Sequence, residues 1–250
     1  MLPFRFATAL MLMLSAAPLS AQDLAATCHA TSSYDVTLNA DNVVFDRAAP
    51  APLRIEIQHG WLRTDGVTVR LYAEDRDRMT LFERDLRVLA PRVRAVAQNG
   101  VDMAVQAMRT EAGGLHLSPA TRSELEQRLS ELARQLKQRI ASSRSTHDWD
   151  GDAFNQYANQ MAAELMPLVA GDLGQQAIDA ALNGDLQSAA ALRDQAASLA
   201  TGIQPRLLQR LQALRPQIQA LCPSIRALGE LQARVRASNG QPLDLVQITR

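Results

Sequence analysis

Aromatic and lysine residues are scarce in this chain of 250 residues. Aromatic residues make up 4% of the sequence, and Lys137 is its only lysine, so nearly all basic side chains are arginines. Strands favour aromatic and β-branched residues, whereas alanine and leucine favour helices. The composition therefore predicts a mainly helical protein, and the hydrophobic share of 47% predicts a buried core.

Net charge is also absent, because 26 basic and 26 acidic residues cancel. Nucleic-acid binding needs a basic footprint on the protein, so this balance argues against a nucleic-acid partner. It argues equally against attachment to a strongly anionic membrane.

Long apolar runs are missing outside the N-terminus. Residues 1–21 carry Arg5 near the start, then an apolar stretch from Phe6 to Leu14, then small residues up to Ala21. This order is typical of a secretory signal peptide, and the apolar stretch is shorter than the about 20 residues that a membrane-spanning helix needs. We expect cleavage after Ala21, no transmembrane segment in the mature chain, and a periplasmic location. An uncleaved N-terminal anchor is the alternative.

Cysteine occurs only twice, at Cys28 and Cys222. In an exported protein an even pair is typical of a disulfide, here one that would tie the start of the mature chain to a point near its end. Two buried free thiols are the alternative. Zinc and redox sites use closely spaced ligands, which this pair lacks.

The hydrophobic pattern predicts an α+β fold that is mostly α. Alternating segments and the turn pairs His59-Gly60 and Asp65-Gly66 predict a small antiparallel β-meander of three or four strands within residues 22–74. Over residues 75–240, apolar side chains recur at spacings of three and four, which predicts long, kinked helices packed on the sheet. Residues 241–250 are expected to fray.

Glycine and proline residues predict where the helical region is interrupted. We expect a kink or break near Pro91. A new helix should begin at Ser118-Pro119, with a capping box from Thr121 to Glu124. Further interruptions are expected at six positions: Gly171, Gly174, Gly202, Pro205, Pro216 and Pro223.

Candidates for catalytic or cofactor chemistry are few. The four histidines lack metal-ligand spacing and are expected in surface or loop positions: His29, His59, His116 and His147. No nucleophile elbow, P-loop or dinucleotide-binding fingerprint is present in the sequence. We therefore predict no catalytic residues, no metal site, no cofactor and no enzymatic activity, although a triad assembled from distant residues stays open.

One acidic cluster has the alternate spacing of calcium-binding carboxylates. Asp148, Asp150 and Asp152 alternate like the first ligands of a calcium loop, but Ala153 occupies the position of the required glycine and Asn159 that of the final glutamate. Carboxylates just before a helix also cap its N-terminal N–H groups. Capping is favoured over cation binding, and the sequence leaves the choice open.

Several features together resemble a known family. The chain has a signal peptide, Cys28 shortly before Asp35-Val36, the Asp65-Gly66 turn, a Leu89-Ala-Pro91 step in a helical region, and the late Cys222. In this order it resembles the YggN-like family of bacterial periplasmic proteins, a domain of unknown function, over roughly residues 28–228. The resemblance implies export, a disulfide and a mostly helical fold, and it brings no activity or catalytic residues.

The functional hypotheses follow from two features: the predicted helices carry stripes of apolar side chains, and the sequence contains no catalytic motif. Such stripes are usually intramolecular core, and otherwise form a surface for a partner or an apolar ligand. The leading hypothesis is a non-enzymatic binding or scaffolding role in the cell envelope, with an unknown envelope protein or a second copy as partner. The alternatives are a hydrolase with dispersed active-site residues and an apolar-ligand carrier, which needs a cavity of about 300 Å³ or more.

Overall fold

The N-terminal region of the fold is an antiparallel sheet. The computed structural model describes residues 26–149 and 151–249. Five strands pair in chain order in one sheet, and a separate two-stranded pair joins the two ends of the described chain. The strands are β1 (Ala30–Thr31), β2 (Asp35–Leu38), β3 (Val43–Asp46), β4 (Arg54–Gln58), β5 (Trp61–Thr64), β6 (Val67–Val69) and β7 (Gln247–Ile248).

The two predicted turns connect β4 to β5 and β5 to β6. His59 and Gly60 have φ of 48° and 79°, and Asp65 and Gly66 have φ of 49° and 80°. Two successive positive φ angles give the turn type whose twist matches that of the flanking strands. Gly60 is required for a second reason, because a Cβ there would lie 2.3 Å from Thr80 Oγ1.

Helices make up most of the remaining chain. They are α1 (Ala73–Gly113), α2 (Pro119–Ser142), α3 (Gly151–Leu182), α4 (Leu186–Leu211), α5 (Arg215–Gln219) and α6 (Cys222–Gln232), with short 3₁₀ helices at Thr146–Trp149 and Gln212–Leu214. The predicted α+β, mostly α, fold class is therefore confirmed, with five strands in the sheet rather than three or four.

Two hydrophobic cores share the helix α1. The inner face of the sheet packs on the first half of α1, through Met79, Phe82 and Leu89. The second half of α1 contributes Val101 and Val105 to a core formed with α2 and the α3–α4 hairpin. At about 1.5 Å per residue, α1 extends roughly 60 Å, long enough to serve both cores.

Of the seven positions expected to interrupt helices, five lie inside continuous helices and two are confirmed as helix starts. Helix α1 continues through Pro91, α3 through Gly171 and Gly174, and α4 through Gly202 and Pro205, whereas Pro216 and Pro223 each lie in the first turn of a new helix. Pro91 is exposed while Leu89 beside it is buried. Core packing on the apolar face therefore outweighs the weak helix propensity on the solvent face.

The start of α2 differs from the predicted capping box. Ser118 is the N-cap, and its Oγ accepts a hydrogen bond from the Thr121 backbone N–H at 3.2 Å. Pro119 takes the first helical position, where its missing N–H costs nothing. Thr121 is therefore inside the helix, because the serine three residues earlier already satisfies the free N–H groups.

The expectation that the C-terminal residues 241–250 fray is wrong for residues 241–249, which the structure describes. Leu243 and Leu245 are fully buried in the core beneath the sheet, and β7 pairs with β1. The side chain of Gln232 accepts a hydrogen bond from the Leu245 backbone N–H at 2.7 Å and also bonds the backbone of Val246. A buried side chain thus supplies the partners that a neighbouring strand would otherwise provide.

Cys28 and Cys222 form a disulfide, which is the pairing expected from the sequence. The Sγ atoms are 2.05 Å apart and the Cα atoms 5.0 Å apart. The bond lies next to the β1–β7 pair, where the Thr249 N–H also donates to the His29 carbonyl at 2.8 Å. The bond and the strand pair together fasten the two ends of the described chain.

The expected signal peptide, residues 1–21, lies outside the described residues. Within the described part of the chain, no helix combines the length and the apolar character needed to cross a bilayer.

Candidate interaction surface

The α3–α4 hairpin ends in a tip that exposes large aliphatic side chains. Ile178, Leu182 and Leu186 are 55%, 81% and 71% exposed. None of the three belongs to either hydrophobic core. Burying one such side chain contributes about 1.5–3 kcal/mol, so the tip leaves a considerable hydrophobic gain unused in the isolated chain.

A tight turn holds the two helices together at this tip. Gly184 has φ of 78°, and the Asp185 N–H donates to the Ala180 carbonyl at 2.9 Å. The Asp185 carboxylate accepts a hydrogen bond from the Ser188 N–H at 3.0 Å, which begins α4. The hydroxyl and backbone of Ser188 lower the pKa of Asp185 through these bonds. Leu182 and Leu186 therefore flank a short, ordered connection.

Polar contacts anchor the hairpin to the α1–α2 connection before the tip begins. Gln176 donates to the His116 carbonyl at 2.7 Å, and Gln195 donates to the Gly114 carbonyl at 3.1 Å. The Asp172 carboxylate accepts a hydrogen bond from the Ser118 N–H at 2.8 Å, at the start of α2. The tip lies beyond these anchors on both helices.

One stripe of exposed positions on α3, spaced by three or four residues, carries no charge. It consists of small or apolar residues: Ala163, Pro167, Ala170, Gly174, Ile178 and Ala181. The exposed Gln175 and Asp179 lie beside this stripe. The exposed face of α2 is different, because it carries ion pairs such as Glu124–Arg128 at 2.6 Å. A solvated helix face normally resembles that of α2.

Other exposed apolar side chains lie on the sheet and the first half of α1. Trp61, on the outer face of β5, is covered by the guanidinium of Arg76 at 4.3 Å from the ring centroid. Tyr72 is exposed at the start of α1, and Leu81 and Val88 lie on its solvent side. Scattered exposed residues are ordinary, so the hairpin tip is the better candidate for a contact surface.

The acidic cluster is organised around its first member. The Asp148 carboxylate accepts hydrogen bonds from the Ser143 hydroxyl at 3.1 Å and from the backbone N–H of Ser145 at 3.2 Å. Burial would raise the pKa of Asp148, but these bonds, one from the Arg144 backbone and the charge of Arg139 lower it. Asp148 is thus occupied by backbone groups of its own turn. Asp150 and the side chain of Asp152 lie outside the described residues.

That turn also covers one edge of the sheet. The Leu38 N–H donates to the Arg144 carbonyl at 2.8 Å, and the Val36 N–H donates to the Thr146 hydroxyl at 2.8 Å. Asp148 therefore orders a segment that protects β2 from pairing with another chain.

The remaining chemistry-bearing residues do not converge. All four histidines are exposed: His29, His59 and His116 lie on separate loops, and His147 lies in the 3₁₀ helix Thr146–Trp149. Among the described residues, no three His, Cys, Asp or Glu side chains come close enough to hold a metal ion. A cleft of about 140 Å³ between the end of α1 and the start of α2 is lined mainly by Arg109, Arg122, Leu125, Glu126 and Leu129. Arg109 is paired with Glu126 in this cleft, and its volume is below what a drug-sized ligand fills.

The sequence did not single out the three tip residues. Met161, Leu165 and Leu168 recur at helical spacing earlier in this helix, and Leu165 is buried. Ile178 and Leu182 continue a helical pattern and look like core residues in the sequence. The available signal is their position on either side of Asn183-Gly184-Asp185, because a turn between helices lies at the surface.

Comparison with known families assigns the chain but not an activity. A family model described as "Protein of unknown function (DUF2884)" matches residues 28–246. The chain belongs to this family. No curated protein and no solved structure matches it. The matched segment runs from Cys28 to beyond Leu245, so it includes the disulfide, the sheet and the hairpin.

Proposed function

We propose that this protein is exported to the periplasm, as the resemblance to the YggN-like family implies, and that it has a non-enzymatic binding or scaffolding role in the cell envelope. The observation that carries the binding role is the exposed apolar tip formed by Ile178, Leu182 and Leu186. Export is supported by the N-terminal signal pattern and by the Cys28–Cys222 disulfide, since disulfides persist in oxidising compartments.

The tip fits a partner surface better than a substrate site. Its side chains are aliphatic, and a protein interface buries such residues in its centre. It is convex, because it is the end of a hairpin, whereas small-molecule sites are concave. The partner is an envelope protein, and nucleic acid is not expected.

Site-specific crosslinking in living cells tests this role. A photoreactive residue at Leu182 should give a discrete adduct with another protein, and Leu186→Gln should weaken that adduct. The same photoreactive residue at Arg128, on the charged face of α2, is the matched control and should give none. Equal labelling from both positions, or no protein adduct from Leu182, would contradict the proposal.

Fractionation tests the location separately. The protein should appear with periplasmic markers and with its cysteines oxidised. Recovery in the cytoplasm with free thiols would refute export.

A further inference from the structure

The charge around the hairpin tip is of one sign. Residues 171–192 contain Asp172, Asp179 and Asp185 but no lysine, arginine or histidine. Asp172 is engaged at the start of α2, whereas Asp179 and Asp185 lie beside the exposed aliphatic residues. The chain as a whole is neutral, so the tip is a local acidic region of an otherwise balanced protein.

Among the described residues, neither Asp179 nor Asp185 forms an ion pair with an arginine, lysine or histidine. Asp179 accepts a hydrogen bond from the Gln175 amide at 3.0 Å, and Asp185 accepts one from the Ser188 backbone. Several acidic groups elsewhere on the helical surface are paired, as Glu131 is with Arg134 at 2.6 Å. The tip therefore offers apolar area together with two carboxylates that form no ion pair among the described residues.

The spacing of the aliphatic residues suits a helix as the occupant. Ile178 and Leu182 are four residues apart on one face of α3, which is one helical turn. Leu186 extends the apolar area onto α4. A helix that crosses this surface can place its own apolar residues between these side chains, as packed helices do.

From the proposed binding role, on which this step rests, we infer that the tip receives an amphipathic helix of another protein whose apolar face is bordered by lysine or arginine. Charges that complement each other across an interface speed association and suppress wrong partners. A second copy docked tip to tip would bring Asp179 and Asp185 against the same carboxylates. An anionic lipid surface would repel them as well.

Two designed peptides test the charge preference directly. Both are amphipathic helices of about 18 residues with the same leucine face, one with a lysine polar face and one with a glutamate polar face. Affinity is measured with fluorescently labelled peptide on the oxidised full-length protein. The Leu/Lys peptide should bind at least about tenfold more tightly than the Leu/Glu peptide, and its affinity should fall as salt rises.

Variants locate the binding on the tip. Leu182→Gln combined with Leu186→Gln should weaken binding of the Leu/Lys peptide at least about tenfold. Asp179→Asn should reduce the preference for lysine over glutamate while the protein stays folded. Leu53→Gln, an exposed aliphatic position in the sheet region, is the matched control and should change neither.

Three outcomes would overturn the inference. The first is equal binding of both peptides, or binding that the tip variants leave unchanged. The second is dimerisation of the protein, seen by light scattering, that Leu182→Gln abolishes. The third is binding to anionic phosphatidylglycerol vesicles through the same residues. If Leu182 gives protein adducts in cells but the two peptides bind equally, the proposed binding role stands. Only the inference that the partner is a basic amphipathic helix is then rejected.

Discussion

The buried carboxylate of Glu83 accepts a hydrogen bond from the backbone N–H of His59 at 2.8 Å, which fastens the first half of α1 to the β4–β5 turn. Glu83 also pairs with Arg87 at 2.9 Å, and Arg87 donates to the Asn39 carbonyl at 2.7 Å. A single ion pair on one helix thus connects two hairpin turns of the sheet.

Glu83→Ala should lower the free energy of unfolding by about 2–3 kcal/mol, because it leaves a partly buried N–H and a guanidinium without their acceptor. Urea unfolding measures the loss. Glu124→Ala, which removes the exposed pair with Arg128, is the matched control and should cost less than about 1 kcal/mol. Equal losses in the two variants would show that the contact with His59 contributes nothing.

Replacing both cysteines by serine should lower the free energy of unfolding by about 2–5 kcal/mol. The bond joins residues separated by 194 positions, and so restricts the unfolded chain over most of its length. Urea unfolding with and without a reductant measures the effect. Reductant should destabilise the wild-type protein and leave the Cys28→Ser/Cys222→Ser variant unchanged. A wild-type protein insensitive to reductant would contradict a stabilising role for the bond.

Leu245→Ala should cost about 2–5 kcal/mol, as expected for a fully buried leucine whose removal leaves a cavity. The result would also test the docking of the C-terminal segment, since a frayed tail would tolerate the change. Thermal or urea unfolding provides the measurement. Leu53→Ala, at an exposed leucine, is the control, and its effect should stay within about 0.5 kcal/mol.

Asp172 makes part of the stability dependent on pH. Burial would raise its pKa, but hydrogen bonds from the Ser118 backbone and hydroxyl, from Thr121 and from Gln176 lower it below the ordinary value. A lowered pKa in the folded state means that folding favours the carboxylate. The stabilisation is therefore complete above the unfolded-state pKa of about 3.9 and is lost as the pH falls through the folded-state pKa.

Asp172→Asn should accordingly lower the free energy of unfolding by about 1 kcal/mol at neutral pH, because it weakens the hydrogen bonds that the charged carboxylate accepts from the start of α2. The difference from wild type should shrink as the pH falls from about 4 through the lowered folded-state pKa of Asp172, where the wild-type carboxylate becomes protonated. Urea unfolding across this pH range measures it. The exposed Asp41→Asn is the control and should stay within about 0.5 kcal/mol throughout. A difference that does not vary with pH would contradict the assignment.

Local features of the fold could be predicted from the sequence, and non-local ones could not. The turns at Gly60 and Gly66 depend on residues that tolerate positive φ. The positions where helices begin at Pro216 and Pro223 depend on the missing N–H of proline. The buried C-terminal segment depends on the side chain of Gln232, which is distant in the chain and has no local signature.

The candidate surface was missed for the same reason. Ile178 and Leu182 have the spacing of core residues, and only the position of the hairpin beyond its anchors at Gln176 and Gln195 exposes them. The continuity of α3 through Gly174 likewise depends on burial of Leu173 next to it. Packing outweighs propensity in both cases.

The glycines of α3 provide a last test of whether its outer face is free. Gly171 and Gly174 lie inside the helix, and a Cβ built at either position meets nothing within 4 Å. Alanine should therefore raise the free energy of unfolding by about 0.5–1 kcal/mol at each position, because it restricts the unfolded chain and favours the helix. Gly100→Ala is the contrasting variant, since its Cβ would lie 3.2 Å from Leu214 Cδ1, and it should gain less or lose stability. Destabilisation by Gly174→Ala would show that this face is packed in solution rather than open to a partner.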